Sequence, residues 1–503
     1  MLTSIRKLLN STELCVDEAL CGLVRSASGL CLLRGLRVVV RSDLKNLNGR
    51  VGLVSGGGSG HEPAHAGYIG AGMLSAAVAG GVFASPPPAS ILAAVLHLHD
   101  AGASGVLLIV KNYTGDRLNF GLAAEQARNR GVSVAMVIVA DDCAFERPGK
   151  AGRRGLCGTV FVHKLAGALA EEGYPLDKIV AKVTEVLKGI GTLGVSLSPC
   201  SVPGCLPSFQ LPPGDMELGL GIHGEPGIQR SKVACADQVV NTMIDHMTNP
   251  SSQSHLLLNS GDSVVLCVNN LGALSCLEMA VVTRAALSTL EARGVVVARV
   301  MSGSFMTSLE MAGVSLSLMR VDPEVLRLFD AKTSAPAWPN LSSVCVSSRQ
   351  YTVEPPALRT WAQGGPLSPV MRSALQRISS ALLDRQEELN ALDRASGDGD
   401  CGNTHAQAAR AIQEWLCIHV VPGCPGQLLS VLAGLVQEKM GGSSGGVGDN
   451  NAAELGAEST RDLRARAGRA SYIAAERVTL PDPGAVAVAA ILRAVLESLE
   501  EQS

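Results

Sequence analysis

The stretch VLLIVKNYTGDRLNFGLAAEQARNRGVSVAMVIVADD, residues 106–142, decides the fold. Val106–Val110 is an apolar run of strand length that meets charge at Lys111. Asn112–Asp116 is turn-forming, Leu118–Asn129 reads as a helix, and Val132–Val139 reads as a second strand ending at Asp141-Asp142. Strand, turn, helix and strand in that order make a βαβ unit, with function expected at the carboxyl ends of the strands. Upstream, Val51–Val54 is a strand followed by what reads as a glycine turn. Downstream, Ser263–Asn269, Ser275–Ala292 and Gly294–Met301 repeat the strand–helix–strand order as a second α/β block. Between the blocks, four prolines from Pro203 to Pro213 mark an extended connector.

The pattern changes after Ala335–Pro369, where six prolines and Ser/Gly clusters predict an inter-domain linker. Leu375, Ile378, Leu382, Leu389 and Leu392 recur at helical spacing, as do Leu428, Leu432, Leu435 and Val436. Gly484–Leu499 gives another apolar helix, so the C-terminal region reads as all-α.

Composition sets outer bounds. A chain of 503 residues is too long for one ordinary core. Hydrophobic residues at 47% against 17% charged exclude a disordered chain. Aromatics at 3% fit poorly with platforms that stack single-stranded nucleic acid, and a net charge of −3 offers no basic footprint for DNA or RNA. The 14 cysteines form no CxxC pair, and several lie in apolar runs, as Cys267 does in Val264–Val268. They read as reduced, buried thiols of a cytosolic protein rather than a disulfide framework. No apolar run reaches membrane-span length, and Met1–Asn10 lacks the apolar core of a signal peptide.

Three stretches of the first region carry chemistry-bearing residues. In GLGIHGEPG (219–227), glycines on both sides leave His223 unshielded, so a ligand is expected to reach either ring nitrogen. In SGGGSGHEP (55–63), bare backbone amides could grip hydroxyl or phosphate oxygens, or the run could be a plain flexible turn. It is no Walker A loop, because the closing Lys-Ser/Thr is absent. His61-Glu62-Pro63-Ala64-His65 matches the zinc-protease HExxH pattern formally. A proline suits only the first turn of a helix, so His61 would fall outside the helix that such a site requires. Asp116, in KNYTGD (111–116), could act as a general base or cap the helix starting near Arg117.

In the C-terminal region, DRASGDGDCG (393–402) brings Asp393, Asp398 and Asp400 to one helix end and the loop after it. Clustered carboxylates repel unless cations neutralise them, and oxygen-only ligands favour Mg²⁺ or Mn²⁺ with nucleotide phosphates. An EF-hand is excluded because its twelfth position would be Ala409 rather than Glu. The plainer reading is a solvated acidic loop. Gly441–Gly445 looks like a phosphate-contacting turn, and Arg469 and Asp482-Pro483-Gly484 could help to hold a nucleotide.

Together these stretches resemble the dihydroxyacetone kinase family. The matching pieces are SGGGSGHEPAHAG (55–67), VKNYTGDRLNF (110–120), AGRRGLCGTV (151–160), GLGIHGEPG (219–227), LDRASGDGDCG (392–402), KMGGSSG (439–445), GRASY (468–472) and DPGA (482–485), in the family's order. The resemblance implies an α/β substrate domain of two subdomains over 9–338, a linker over 339–370 and an all-α nucleotide-binding helical barrel over 371–500. It implies that His223 adds through a ring nitrogen to the ketone carbonyl, giving a hemiaminal. Covalent capture would select ketones and aldehydes over glycerol, which has no carbonyl to attack. Gly58, Ser59, Gly60 and His61 would line the triose; Lys111 and Asp116 would contact it, with Asp116 and His61 as proton carriers.

The resemblance further assigns Asp393, Asp398 and Asp400 to metal, and Cys401, Gly402, Asn403, Thr404, Ser443, Ser444, Arg469, Asp482, Pro483 and Gly484 to the nucleotide. It implies ATP and Mg²⁺ for the kinase reaction. Animal members also split FAD into AMP and cyclic FMN, with Mn²⁺ or Co²⁺. A cytosolic homodimer is implied, in which one subunit's nucleotide domain serves the other's ketone site, and a cytosolic RNA-sensing helicase as a protein partner. One departure stands out: after Gly445 the family continues through several more helices before GRASY, whereas here Gly446–Asn451 bridges directly to Ala452–Ala467. A half-open barrel would leave apolar helix faces in water at on the order of 25 cal/mol per Å². A truncated, loosely folded or partnered nucleotide domain is therefore expected, and with it a chain that binds trioses without phosphorylating them as the alternative to an active kinase.

Overall fold

In the computed structural model, which describes residues 7–207, 209–353, 364–396, 398–439, 457–458, 460 and 480–500, the apolar runs become strands and the Ala-rich stretches helices. The first sheet contains β1 (Leu30–Leu32), β2 (Val38–Arg41), β3 (Val51–Ser59), β4 (Ala76–Val82), β5 (Gly105–Lys111) and β6 (Val134–Val139). Its order is β1-β2-β4-β3-β5-β6; β4, β3, β5 and β6 run parallel, while β2 joins β4 antiparallel. Helices α1 (Cys15–Ser26), α2 (Pro88–Asp100), α3 (Thr114–Arg128), α4 (Thr159–Glu171) and α5 (Leu176–Leu187) accompany it.

The second sheet contains β7 (Ile190–Ser196), β8 (Asp215–Leu218), β9 (Gln229–Lys232), β10 (Ser263–Asn270), β11 (Val296–Gly303) and β12 (Gly313–Arg320). Its order is β11-β10-β12-β7-β8-β9, and only β10 and β11 pair in parallel. Helices α6 (Ala236–Thr248), α7 (Cys276–Ala292) and α8 (Pro323–Asp330) belong to this half. Ser275 and Glu278 close a reciprocal capping box at the start of α7.

Alternation along the strands shows how the layers stack. Val54, Val106, Leu108 and Val110 face Phe120 of α3 and the α2 side, whereas Leu53, Leu107 and Ile109 face the opposite cluster. That opposite cluster also takes Val265, Cys267, Met301 and Met319 from the second sheet, while Val264, Leu266 and Val268 turn toward α6 and α7. Helix α4 thus lies between the two sheets, and each of its residues from Thr159 to Ala170 is buried. A helix covered on every side has no face to give to water, so its few polar side chains must find partners within the protein. Its Lys164 ammonium donates to the Leu328 carbonyl at 3.1 Å, and burial lowers its pKa to about 8.

Asp141 ties the halves together. Its carboxylate accepts from the Leu156 and Gly158 backbone at 2.6 and 2.8 Å and from the Thr192 hydroxyl at 2.5 Å. Asp142 bridges to Thr192 on β7, so the end of β6 runs into the second sheet. Within the first core, Ser55 donates to the Ile109 carbonyl at 2.7 Å. Its oxygen then accepts from His65 Nδ1 at 3.3 Å and His163 Nε2 at 3.1 Å. Burial, and next the Lys111 charge, hold the His163 pKa down to about 3 and push that of His65 well below its usual value.

Several expectations change. Residues 55–59 are not a turn but the second half of β3, because their backbones must approach neighbours closely: a Cβ on Gly58 would sit 2.7 Å from the Ala84 nitrogen and 2.8 Å from the Phe83 Cα. Helix α3 begins at Thr114, with Tyr113 at its cap position, so Asp116 lies inside the first turn rather than capping it. Residues 344–349, read as linker, hydrogen-bond β11: Val346 and Ser347 donate their amides to the Val297 carbonyl at 3.1 and 3.2 Å. All 14 cysteines are free thiols, but the expected burial holds for only some: seven, Cys21, Cys31, Cys205, Cys235, Cys276, Cys417 and Cys424, are exposed. Among the described residues no helix is long and apolar enough to cross a membrane.

The chain divides into two units, Met1–Thr352 and Val353–Ser503. The second is helical in its described residues: α9 (Ser368–Asp384), α10 (Gln386–Ser396), α11 (Cys401–Ile418), α12 (Pro425–Lys439) and α13 (Pro483–Glu500). Leu375, Trp415 and Leu428 share one core cluster, and Leu382, Leu389 and Ala487 another. Ser443, Ser444, Arg469 and the bridging segment 446–451 lie outside the described residues.

Two outcomes follow from the buried layer. In an open helix, Gly to Ala stabilises by about 1 kcal/mol. At Gly167 of α4 a Cβ would fall 2.5 Å from the Gly72 carbonyl carbon, against backbone that cannot swing aside. Gly167→Ala should therefore destabilise the first unit by about 1–3 kcal/mol in chemical denaturation; a stabilised variant would contradict the packing of α4. For His163, the unfolded ring protonates near its ordinary pKa and the folded one only near 3. The unfolded state thus binds more protons in between, and stability falls by about 1.4 kcal/mol per pH unit below the ordinary value. His163→Gln should make the decline of the urea midpoint on acidification shallower by about one proton's worth, and an unchanged slope would show that His163 titrates normally.

Candidate active site

His223 sits in the turn that doubles back from β8 to β9. Its ring is not unshielded as its glycine neighbours suggest. His61, Phe83 and Tyr113 stand edge-on around it, with ring centroids at 4.9, 5.2 and 4.6 Å. Nor are both nitrogens equally open: Nδ1 is 3.1 Å from Glu225 Oε1, and Glu225 Oε2 accepts the His223 backbone N–H at 3.0 Å. The ring keeps 19% of its surface exposed. Burial pushes the Glu225 carboxyl up, but the His223 hydrogen bond and charge, with help from Arg154, outweigh this and hold it at about 2.

The end of β3 supplies the facing wall. His61 is fully buried, and its Nδ1 donates to the Thr307 carbonyl at 2.8 Å. Burial, then the charges of Lys111 and His223, drive its pKa well below the usual histidine value. The ring is therefore neutral, with a lone pair on Nε2 that has no hydrogen-bond partner. Phe83 stacks on it at 5.1 Å and adopts φ 57°, a backbone conformation uncommon outside glycine.

Lys111 and Asp116 meet over bare backbone. A Cβ on Gly57 would lie 2.9 Å from Lys111 Nζ and 3.3 Å from Asp116 Oδ2. Only glycine leaves room there, and its φ of 152° suits glycine as well. The Lys111 ammonium is buried without a hydrogen-bond partner, and burial lowers its pKa against the pull of Asp116, Glu225, Asp141 and Glu62. Asp116 is also buried and accepts from the Ser85 hydroxyl at 2.5 Å. An ammonium, a carboxylate and an imidazole lone pair in so dry a place suit a small polyhydroxyl compound whose oxygens supply the missing partners.

Some candidate residues are otherwise engaged. The Ser59 hydroxyl donates to the Gly80 carbonyl at 2.9 Å, and the Gly60 N–H donates to the Glu62 carboxylate at 3.0 Å. Gly58 packs on the Phe83–Ala84 backbone. The HExxH match has no zinc geometry, since His61 and His65 each commit Nδ1 elsewhere and lie outside any α-helix. Glu225, Tyr113, Phe83, Ser85 and Thr307 were not singled out from the sequence. Glu225 alone carried a signal, standing two residues after His223.

In the second unit, carboxylate oxygens of Asp393, Asp398 and Asp400 lie within 4.8 Å of one another. Oδ2 of Asp393 accepts the backbone N–H groups of Gly399, Asp400 and Cys401 at 2.9, 2.9 and 3.2 Å. This hard, oxygen-only set at the start of α11 fits a divalent cation such as Mg²⁺. The Asp482 charge acts on Cys401, whose thiol is raised to about 11 chiefly by burial, so the start of α13 lies within electrostatic reach of the loop. Asp482 caps α13 by accepting the Ala485 N–H at 2.8 Å. Thr404 lies in the first turn of α11, with Pro483 and Gly484 in that of α13. Asn403 spends its side-chain oxygen on Gln386 and Asn390, and a Cβ on Gly402 would sit 2.8 Å from Asn390 Oδ1. Both positions thus serve the α10–α11 contact.

Comparison with known proteins agrees with this layout. A Dak1 domain model matches residues 21–337, and a DAK2 domain model matches residues 450–497. Triokinase/FMN cyclase of Rattus norvegicus is 50% identical over 576 residues, covering 99% of this chain and 100% of that protein. The dihydroxyacetone-binding subunit DhaK of a PTS-dependent dihydroxyacetone kinase from Listeria innocua is 46% identical over 323 residues, 64% of this chain and 95% of that subunit. Among solved structures, the dihydroxyacetone kinase of C. freundii in complex with AMP-PNP and Mg²⁺ superimposes with a TM-score of 0.65 at 32% identity, covering 98% of this chain and 100% of that one. A family model over most of the chain, and relatives at half identity end to end, establish that the chain belongs to the dihydroxyacetone kinase family of enzymes.

Proposed function

We propose that the chain phosphorylates dihydroxyacetone and glyceraldehyde with ATP, holding the triose covalently on His223, and that its nucleotide site also splits FAD into AMP and cyclic FMN. One observation carries the triose reading. The His223 ring stands 4.9 Å from His61, whose Nε2 lone pair lacks a partner, in the same enclosure as the unpartnered Lys111 ammonium. The FAD activity rests on the names of the half-identical relatives.

In this reading the Nε2 lone pair of His223 forms a bond to the carbonyl carbon, the π electrons move to oxygen, and that oxygen takes a proton. Lys111 donates hydrogen bonds to triose oxygens. His61 accepts the hydrogen bond of the hydroxyl to be phosphorylated. Burial makes His61 a weak base, so the carboxylate of Asp116 takes the proton as the hydroxyl attacks the γ-phosphorus. Asp393, Asp398 and Asp400 would hold the divalent ions that neutralise phosphate charge.

We also read the nucleotide unit as shorter than in the relatives. Support comes from the alignment to the rat protein, which spans 576 residues although this chain has 503, and from a second family model that matches 450–497 but not the acids at 393–400. This reading predicts weaker ATP–Mg²⁺ binding by calorimetry than in the rat relative, and equal affinity would show that the nucleotide pocket is whole. For the triose site, native mass spectrometry with dihydroxyacetone should show one triose added, mapping to His223 and absent in His223→Ala. Persistence of the adduct in that variant would remove His223 as the nucleophile.

A further inference from the structure

We propose that Glu225 is the positioning residue that fixes His223 in one tautomer and one orientation for attack on the carbonyl. The inference rests on the covalent reading of the triose site and deepens it. One carboxylate grips the same histidine twice: Oε1 on ring Nδ1 at 3.1 Å and Oε2 on the backbone N–H at 3.0 Å. An ionised carboxylate only accepts, so Nδ1 must carry the proton and the lone pair must lie on Nε2. The double grip also ties the ring to its own main chain, which removes rotation that a turn residue would otherwise keep.

The turn is shaped to permit this. Glu225 reaches back over Gly221, whose bare Cα also leaves room for Arg154; a Cβ there would lie 2.8 Å from Arg154 Nη1. Arg154 is itself held by Asp142 at 2.6 Å and by the Gly219 carbonyl at 2.7 Å, so its positive charge stays beside the carboxylate. Tyr113 closes the remaining side of the imidazole. This explains why a histidine in an otherwise glycine-rich turn is not a free rotor.

The Nε2 lone pair becomes the C–N bond, the carbonyl π pair moves to oxygen, and a proton from solvent neutralises that oxygen. The ring is left as an imidazolium whose Nδ1–H remains hydrogen-bonded to Glu225, so the positive charge gained on the ring faces the negative charge already there. A glutamine at 225 keeps the shape but loses the charge, and its amide can either donate or accept, so it no longer enforces one tautomer.

The test combines imidazole ¹⁵N NMR with adduct measurement on the full chain. In the wild type the His223 signals should show a protonated Nδ1 and a lone pair on Nε2. In Glu225→Gln they should show mixed tautomers, with triose occupancy at His223 reduced on the order of 10- to 100-fold, by analogy with the loss of the hydrogen-bonded partners that orient metal-ligating histidines. Wild-type His223 protonated on Nε2 would overturn the proposal without any variant. So would a Glu225→Gln protein with a single tautomer and unchanged occupancy. A wild type showing the Nδ1–H tautomer but no triose adduct would overturn the covalent reading and, with it, the role in attack proposed for Glu225.

Discussion

Three successive α-carbons without side chains, Gly56 to Gly58, set the spacing on which the candidate site depends. Any side chain at Gly57 would collide with the Lys111 ammonium and crowd the Asp116 carboxylate, and one at Gly58 would push away the backbone that carries Phe83. With these positions bare, β5, the first turn of α3 and the β4–α2 connection that carries Phe83 close onto the end of β3. The groups brought together are kept dry, and dryness makes His61 neutral and leaves Lys111 short of partners. A desolvated ammonium is costly unless something answers it. In the function proposed above, the oxygens of a triose would supply that answer, which turns the cost of desolvation into selectivity.

Much of the first unit was legible in the sequence because its strands and helices differ in period. β5, α3 and β6 follow from the apolar runs of residues 106–139, and α7 from its place between the runs 263–269 and 294–301. The glycine run misled, since glycine signals a turn locally and close packing only when the partner strand is known; here the partners were β4 and β5. The mostly antiparallel second sheet was hidden for a related reason, because β7, β8 and β12 pair across long separations that no local pattern records. Helix α4 was not singled out either. Its enclosure depends on two sheets meeting, one before and one after it in the chain.

The candidate site shows the same division. Residue types with obvious chemistry, His223, His61, Asp116 and the three C-terminal acids, stand out in a sequence. Residues that act by orientation do not. Thr307 contributes only a carbonyl to His61, Ser85 only a hydroxyl to Asp116, and Phe83 a ring face. Their value arises from tertiary placement. In the second unit the sequence located the acids, and the folded chain added the three backbone amides that steady Asp393.

The enclosure of α4 also bears on how the polypeptide is born. Synthesis delivers the first sheet, then α4, and only much later β10 to β12, which cover the helix from the other side. Until α8 as well as β10 to β12 has been made, α4 lacks the partners of one flank, the Leu328 carbonyl that takes up its Lys164 ammonium among them. The two sheets are therefore not separable lobes that mature in turn. They form a single assembly that closes only once both sheets have been made.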